Sequence, residues 1–249
     1  MKKEELREKA LDRTREDLKN AVEKDKFIVK AVKILNQINS TKKSEVEAFR
    51  DMYALHFPEL EEEIGDDEEF LKIMEKGVKR EELDAFQELA DSSTGADLPE
   101  HEEELLRNTL ELIRRKDSLA EDLERYIEEA VEEEMPNLSR LMGPLLTAKL
   151  VAHIGSLEEF AKKPASTVQM LGAEKALFRY LRGKGTPPKH GVIFEHEFVS
   201  SLPEGERGKM ARFLANKAVM AARLDQYGDK QKGDELRQEA QEKYEELKE

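Results

Sequence analysis

The sequence has no cysteine and no tryptophan, and aromatic residues make up only 6% of it. Without cysteine there are no disulfides and no thiolate ligands for a metal, so nothing in the composition indicates secretion. The most apolar run, near residues 145–154, is short and is interrupted by Lys149 and His153, which excludes a transmembrane span. The first five residues lack the apolar stretch of a signal peptide. These absences predict a soluble intracellular, cytoplasmic protein with no membrane partner.

Charged residues are abundant, and the two signs are unevenly distributed. The 249 residues carry a formal net charge of −14, and 39% of them are charged while 38% are apolar. Residues 140–223 nevertheless hold 14 Lys/Arg and 7 Asp/Glu, a net charge of +7. The rest of the chain holds 28 Lys/Arg and 49 Asp/Glu, a net charge of −21. A positive segment inside an acidic chain indicates a surface that meets anions. The low apolar fraction favours long, largely exposed helices over one thick core.

Apolar residues recur with helical spacing, which predicts an all-α fold. The first forty residues are expected to be helical, with apolar stripes at 27–38 and a frayed or exposed beginning before Ala21. A second helix is expected from a capping-box pattern at Ser44 to Pro58. A third, from about Asp97 to Met135, carries two stripes that each repeat every seven residues: Leu105, Leu112, Leu119 and Tyr126, and beside them Leu106, Ile113, Ala120 and Ile127. Such a repeat is typical of a coiled coil, so both stripes are expected to be packing surface. We expect the first and third helices to pair antiparallel, with a helical tip at 44–97.

Charge density falls after Pro136 and small residues become frequent, which indicates compact packing. The predicted organisation is an antiparallel coiled coil at 1–135, a globular domain at 136–227 and a polar tail at 228–249 that is a weak helix at best. Residues 192–194 are expected to form a short extended stretch. His153 is expected to be a hydrogen-bonded core residue, and His56 to lie at a helix end, where the helix dipole favours it.

No constellation of enzymatic residues is recognisable. Gly183-Lys184-Gly185-Thr186 lacks the earlier glycine of a phosphate-binding loop, because position 178 is Phe. The histidines at 190 and 196 do not have the spacing of a metal-binding motif. We therefore predict a protein that is not an enzyme and that has no cofactor and no metal.

Three parts of the positive segment are candidates for binding an anion. Residues 172–175 begin a helix, whose free backbone N–H groups favour phosphate. The proline-stiffened loop 187–191 presents a cation and an imidazole, and the first turns of the last long helix, from about 203 to 227, present further cations. Ordinary surface cations would give the same composition. Since exposed aromatics are scarce here, recognition of RNA backbone and shape fits better than base stacking.

Residues 136–226 resemble the NOP domain, an RNA-processing family. The resemblance is carried by Pro-Asn-Leu at 136–138, Leu-Gly-Ala-Glu-Lys-Ala-Leu-Phe-Arg at 171–179, Pro-Lys-His-Gly at 188–191, Arg-Gly-Lys at 207–209 and Ala-Ala-Arg-Leu-Asp at 221–225. Leu-His-Phe-Pro-Glu-Leu at 55–60 is similar to the coiled-coil region of the same family. The resemblance therefore extends over most of residues 20–226.

The resemblance implies an all-α scaffold in which a long antiparallel coiled coil leads into a compact helical NOP domain. It implies a non-catalytic protein that binds a composite surface of kink-turn RNA and its primary kink-turn-binding protein, in box C/D or related ribonucleoproteins. It also implies self-association through the coiled coil, at Leu105, Leu112, Leu119 and Tyr126, and the absence of the fibrillarin-binding domain that precedes the coiled coil in the archaeal box C/D core protein. The RNA-facing residues carried over are Gly172, Ala173, Glu174, Lys175, Arg179, Lys189, His190, Arg207, Lys209 and Arg212.

One segment departs from the box C/D pattern. Those members usually have an aromatic residue before Arg-Gly-Lys, whereas this chain has Pro203-Glu204-Gly205-Glu206. Ser201-Leu202-Pro203 instead resembles the spliceosomal NOP-domain protein. The two added carboxylates weaken the local positive field, and they favour an alternative: a coiled-coil module that assembles proteins with little or no RNA binding.

Overall fold

The computed structural model describes residues 7, 11, 14, 24–229 and 231–248, and in these residues it contains helices and no strands. The all-α prediction is confirmed. None of the helices in the described part is long and apolar enough to cross a membrane. The α-helices are α1 (Lys24–Tyr53), α2 (Pro58–Glu63), α3 (Asp67–Met74), α4 (Gln87–Asp91), α5 (Glu100–Glu134), α6 (Pro136–Met142), α7 (Pro144–Ile154), α8 (Leu157–Lys162), α9 (Ala165–Met170), α10 (Glu174–Leu181), α11 (Glu197–Ser200), α12 (Glu204–Tyr227) and α13 (Gly233–Lys248).

The chain divides into two compact units. One consists of residues 34–123, and the other of residues 1–33 together with 124–249. Helices α1 and α5 each contribute residues to both units. The predicted domain limits at 135/136 and 227/228 stay predictions, and the predicted beginning of the coiled coil, residues 1–23, lies outside the described residues apart from 7, 11 and 14.

The two long helices run antiparallel, as predicted. In the 34–123 unit, Lys42 on α1 pairs with Asp117 on α5 at 2.9 Å. In the other unit, Lys24 on α1 pairs with Glu133 on α5 at 2.6 Å. Residue numbers therefore rise along one helix as they fall along the other. The antiparallel coiled coil is confirmed.

The predicted helix boundary at Ser44 is wrong, because α1 continues without a break from Lys24 to Tyr53. Here the hydroxyls do not cap a new helix. Ser40 donates to the Gln37 carbonyl at 2.9 Å, and Ser44 donates to the Thr41 carbonyl at 2.9 Å. A serine that bonds back one turn leaves the helical ladder intact, so a capping-box pattern can occur inside a helix.

The 34–123 unit has its own apolar core. It is formed by residues Val46, Phe49, Tyr53, Phe57, Leu60, Phe70, Leu71, Met74, Val78, Leu83, Leu106, Leu110 and Ile113. His56 was expected to be stabilised by the dipole at a helix end. Instead it is buried, and both of its ring nitrogens are hydrogen-bonded. Its Nδ1–H donates to the Ala96 carbonyl at 2.7 Å and its Nε2 accepts from the Arg80 amide at 3.2 Å. The imidazole thus connects three segments of the tip.

In the other unit, a buried carboxylate near the end of α12 joins this helix to the start of α6. Asp225, on α12, accepts the amides of Asn137 and Leu138 at the start of α6, both at 2.9 Å. The side chain of Asn137 donates to the Asp229 carbonyl at 2.9 Å and accepts from the Lys232 amide at 2.7 Å. These bonds satisfy the free amides of a helix start, which otherwise lack partners.

The C-terminal segment is better ordered than predicted. Instead of a weak helix at best, it forms α13, which packs against α6 and α12 and buries Leu236 and Ala240. Tyr244 stacks on Phe198, with 4.9 Å between ring centroids, and its hydroxyl lies 3.1 Å from that of Ser201. The packing of a few apolar residues outweighs the polar composition. The predicted extended stretch at 192–194 is also wrong, because Val192–Glu195 forms a 3₁₀ turn.

We predict that Asp225→Ala lowers the free energy of unfolding by about 3 kcal/mol, because two buried amides lose a charged acceptor. Urea denaturation followed by circular dichroism measures the change. Asp229→Asn is the matched control, since Asp229 is exposed and its carboxylate accepts the exposed amide of Gln231, a bond that an asparagine side-chain oxygen can keep. An Asp225→Ala midpoint equal to that of the control would contradict this role.

Candidate nucleic-acid interface

The loop before residue 192 is bonded to the turn between α9 and α10. Gly191 donates its amide to the Gln169 carbonyl at 3.0 Å, and Val192 donates to the Leu171 carbonyl at 2.7 Å. The Gln169 side chain in turn donates to the Lys189 carbonyl at 2.7 Å. Three hydrogen bonds thereby place Lys189 and His190 beside residues 169–173.

Two glycines permit this close approach. A Cβ at Gly191 would lie 1.8 Å from the Leu171 carbonyl oxygen, which no side chain tolerates. Gly172 has a φ of +79°, and a Cβ there would lie 2.4 Å from a methyl group of Val192. Both positions therefore require glycine, for space in the first case and for space and backbone conformation in the second.

The aromatic ring of Phe194 contacts both the 187–191 loop, through His190, and the start of α12, through Arg207. His190 stacks on Phe194 with 4.7 Å between ring centroids and 17° between planes. The Arg207 guanidinium lies 5.4 Å from the centroid of the same ring, and its Nε donates to the Leu202 carbonyl at 2.7 Å. Burial lowers the pKa of His190 below its ordinary 6.5, and the charges of Arg207 and Lys189 lower it further. His190 is therefore held in its neutral form beside two cations at neutral pH.

Lys189 also contacts the first turns of α12 directly. A Cβ at Gly208 would lie 3.4 Å from the Lys189 Cβ, an ordinary van der Waals contact, so the backbone of α12 and the lysine stem are adjacent. Arg212 follows Gly208 by four residues, on the same side of the helix, and its side chain is exposed. We call the surface formed by residues 172–175, 189–191 and 207–212 the cationic face.

The predicted residues are distributed over this face with one exception. Lys175, the second residue of α10, is exposed and follows directly from the Gly172–Ala173 turn. Lys209 is exposed on α12. Arg179 lies one turn beyond Lys175 and lines a separate hollow of about 460 Å³ together with Lys184, Gly185, Thr186 and Pro188. Arg179 therefore borders the face and is not part of its centre.

Two of the four amides at residues 172–175, which were expected from the sequence to be free for an anion, are bonded within the chain. The Gly172 amide donates to the Glu174 carboxylate at 2.8 Å, and the Ala173 amide donates to the Met170 carbonyl at 3.0 Å. An acidic residue in the first turn of a helix is itself favourable. The chain's own groups thus occupy these two positions.

Three contributors to the site were missed from the sequence. Phe194 supports both His190 and Arg207, and Gln169 positions Lys189, but neither residue type indicates this role by itself. His153 was expected in the core, yet it is exposed, and a Cβ at Gly172 would lie 3.6 Å from its Nε2. Within the described residues, no group of three His, Cys, Asp or Glu side chains could hold a metal ion.

A second surface lies on α5. This helix carries two apolar stripes, each of which repeats every seven residues. In one stripe Leu106, Ile113 and Ile127 are buried, with at most 4% of their surface exposed. The other stripe is open to solvent: Leu105 and Leu112 are 55% exposed, Leu119 is 47% exposed and Tyr126 is 38% exposed. The second stripe is therefore more open than the first, and within it the ring of Tyr126 meets that of Phe27 with 5.5 Å between centroids. That the second stripe serves as a packing surface, as expected for both stripes, stays a prediction.

The fold agrees with comparisons to known proteins. A model of the Nop family, described as "snoRNA binding domain, fibrillarin", matches residues 34–246. The chain belongs to the NOP family. The resemblance inferred from the motifs at 136–226 is thereby confirmed. A chain in the crystal structure of a fibrillarin/Nop5p complex has a similar fold, with a TM-score of 0.62 and 28% identity over 98% of this chain and 78% of that chain.

Relatives of this NOP protein occur in archaea and in eukaryotes. A NOP5 family protein of Methanocaldococcus jannaschii is 35% identical over 242 residues, which cover 92% of this chain and 58% of the relative. Nucleolar protein 56 of Saccharomyces cerevisiae is 34% identical, with 87% of this chain and 47% of the relative covered. Nucleolar protein 58 of Schizosaccharomyces pombe is 32% identical, with 83% and 43% covered. The chain thus spans about half the length of the curated relatives that it matches.

Proposed function

We propose that this chain is a non-catalytic ribonucleoprotein scaffold. Its cationic face binds the backbone of a kink-turn RNA that already carries its primary binding protein, as in box C/D or related RNA-processing particles. The observation that carries the proposal is the convergence of three separate segments, 172–175, 189–191 and 207–212, through the contacts of Lys189 and Arg207. Cations that act on a polyanion together bind it more tightly, and with a steeper salt dependence, than scattered cations do.

The form of the face supports recognition of backbone and not of bases. The aromatic ring of Phe194 supports the face and is already in contact with two of its side chains, since His190 stacks on it and the Arg207 guanidinium lies 5.4 Å from its centroid. The face therefore offers guanidinium and ammonium groups and no open aromatic platform. Contacts of this type position a protein on RNA without reading its sequence.

Helix α10 supports a partner that is part protein. None of its residues is buried, and the large apolar side chains Phe178 and Leu181 are 61% and 67% exposed. The second residue of the same helix is the cation Lys175. A helix that joins a cationic end to an exposed apolar surface suits a composite partner, in which RNA meets the charge and protein meets the apolar groups.

A gel-shift experiment tests this function. A kink-turn RNA bound to its primary protein should be shifted further by this chain at micromolar concentration. Lys175→Ala with Arg212→Ala should weaken the complex by about tenfold per lost phosphate contact near 0.1 M salt, and should make its salt dependence less steep by about 0.9 per contact.

Lys162→Ala with Lys163→Ala is the matched control, because these two lysines lie at the end of α8 in ion pairs of their own. It should leave the shift unchanged. If the complete chain produced no further shift at modest salt, the proposed function would be wrong. If the control weakened binding as much as the test variant, the assignment of the face would be wrong.

We also propose that the open stripe of α5 mediates self-association through Leu105, Leu112, Leu119 and Tyr126. Apolar side chains that repeat every seven residues and are open to water are the usual contact surface between coiled-coil helices. The unit that carries most of this stripe is strongly acidic, since residues 34–123 contain 11 Lys/Arg and 26 Asp/Glu, a net −15. Two copies brought together by apolar contact must therefore overcome charge repulsion.

Self-association should accordingly strengthen as salt rises, which is the opposite of the RNA complex. Light scattering should give a mass well above the 28.7 kDa of one chain at about 0.5 M salt, and closer to one chain at about 0.05 M. Leu105→Gln with Leu112→Gln should abolish the difference. Met220→Gln, an equally exposed apolar position on α12, is the control. A mass of one chain at high concentration in both salts would refute the proposal.

A further inference from the structure

Two of the three lysines of the cationic face lie beside carboxylates of the same chain. Lys209 pairs with Glu206 at 2.8 Å, and Lys189 lies 3.9 Å from Glu204. Both glutamates belong to the first turn of α12, whereas Lys189 belongs to the loop before α11. The pair between Lys189 and Glu204 therefore joins the 189–191 segment to the first turn of α12, just before the 207–212 segment.

The Glu206 carboxylate competes with phosphate for Lys209, and the more distant Glu204 carboxylate offsets the charge of Lys189. A carboxylate at 2.8 Å from an ammonium group occupies the position that a phosphate oxygen needs for a charge-assisted hydrogen bond. RNA has to displace the carboxylate before it gains the lysine. Such exposed pairs are individually weak, so they lower affinity for RNA without preventing binding.

We propose that Glu204 and Glu206 are specificity-determining residues that lower the affinity of this face for RNA that lacks the structure of the proper partner. RNA without the right structure is bound through charge alone, so its affinity depends on how many cations are free to replace counterions. A composite partner also supplies contacts to apolar groups such as Phe178, and these contacts do not depend on displaced carboxylates. The inference rests on the proposed function only in that RNA is the anion that meets this face.

The test uses a single-stranded polyuridine oligonucleotide and the complete chain with Glu204→Gln and Glu206→Gln. Two lysines released from their pairs should raise affinity for polyuridine on the order of tenfold near 0.1 M salt, and should make the salt slope steeper by about 1.4. Fluorescence anisotropy at several salt concentrations measures both quantities. The salt slope is the deciding readout, because a purely structural role for the glutamates would not steepen it.

The chain offers a closely matched control. Glu158 and Glu159 also lie in the first turn of a helix, α8, and also pair with lysines, Lys162 and Lys163. Glu158→Gln with Glu159→Gln therefore changes net charge, helix start and ion pairing in the same way, but away from the face. Its affinity for polyuridine should rise no more than about twofold, the effect of net charge alone.

Each outcome decides the inference. If the Glu204/Glu206 variant bound polyuridine no more tightly than the Glu158/Glu159 control, or with an unchanged salt slope, the inference would be overturned. The failure of the proposed function looks different: the kink-turn complex would not be shifted by the complete chain, while polyuridine would still separate the two variants. Circular dichroism confirms that both variants are folded before binding is compared.

Discussion

In the unit formed by residues 1–33 and 124–249, the packing of the helices depends on the hydrogen bonds of the buried Asp225 carboxylate. It is almost fully withdrawn from water and accepts two amides from the start of α6. A buried charge is tolerated only where hydrogen bonds replace its hydration, and the positive end of a helix supplies both the bonds and a favourable field. The same contact attaches the end of α12 to the start of α6. The side chain of Asn137 bonds to the backbone of residues 229 and 232 and so positions the segment that leads into α13.

From that anchor, α12 runs through the centre of its unit to the cationic face. Its inner surface is made of small side chains, with Ala211, Ala215, Ala218, Ala221 and Ala222 all buried. Small residues allow neighbouring helices to approach closely, so the position of one end of α12 constrains the other. Arg207 and Gly208 at the far end are thereby presented to Phe194 and Lys189. The stability of the unit and the geometry of the face are consequences of one helix.

The positions of most helices could be predicted from local sequence patterns. Which of their faces are buried could not, because burial depends on tertiary packing. Helix α5 was predicted closely, because Pro99 and Pro136 punctuate a long repeat. Periodicity showed two stripes on it, but only the fold determines that Leu106 is buried while Leu105 is open to solvent. The serine pattern at 44 was misread because the same residues bond backwards within a helix. The helix at 233–248 was underestimated because two buried residues, Leu236 and Ala240, outweigh a polar composition.

The candidate site shows the same division. The charge reversal and the strings at 171–179 and 188–191 predicted which cations to consider. Their convergence depends on Gly191 against Leu171 and on Lys189 against Gly208, contacts that join residues about 20 positions apart and that no local pattern reveals. The self-pairing of Lys189 and Lys209 with carboxylates is likewise visible only in three dimensions.

The most direct test of the account is hydrogen–deuterium exchange of the complete chain, with and without a kink-turn RNA bound to its primary protein. The account predicts that residues 172–175, 189–191 and 207–212 become protected together when the complex forms, with no matching protection of the buried core around Asp225. Protection of only one of these three segments, or protection confined to residues 34–123, would contradict it.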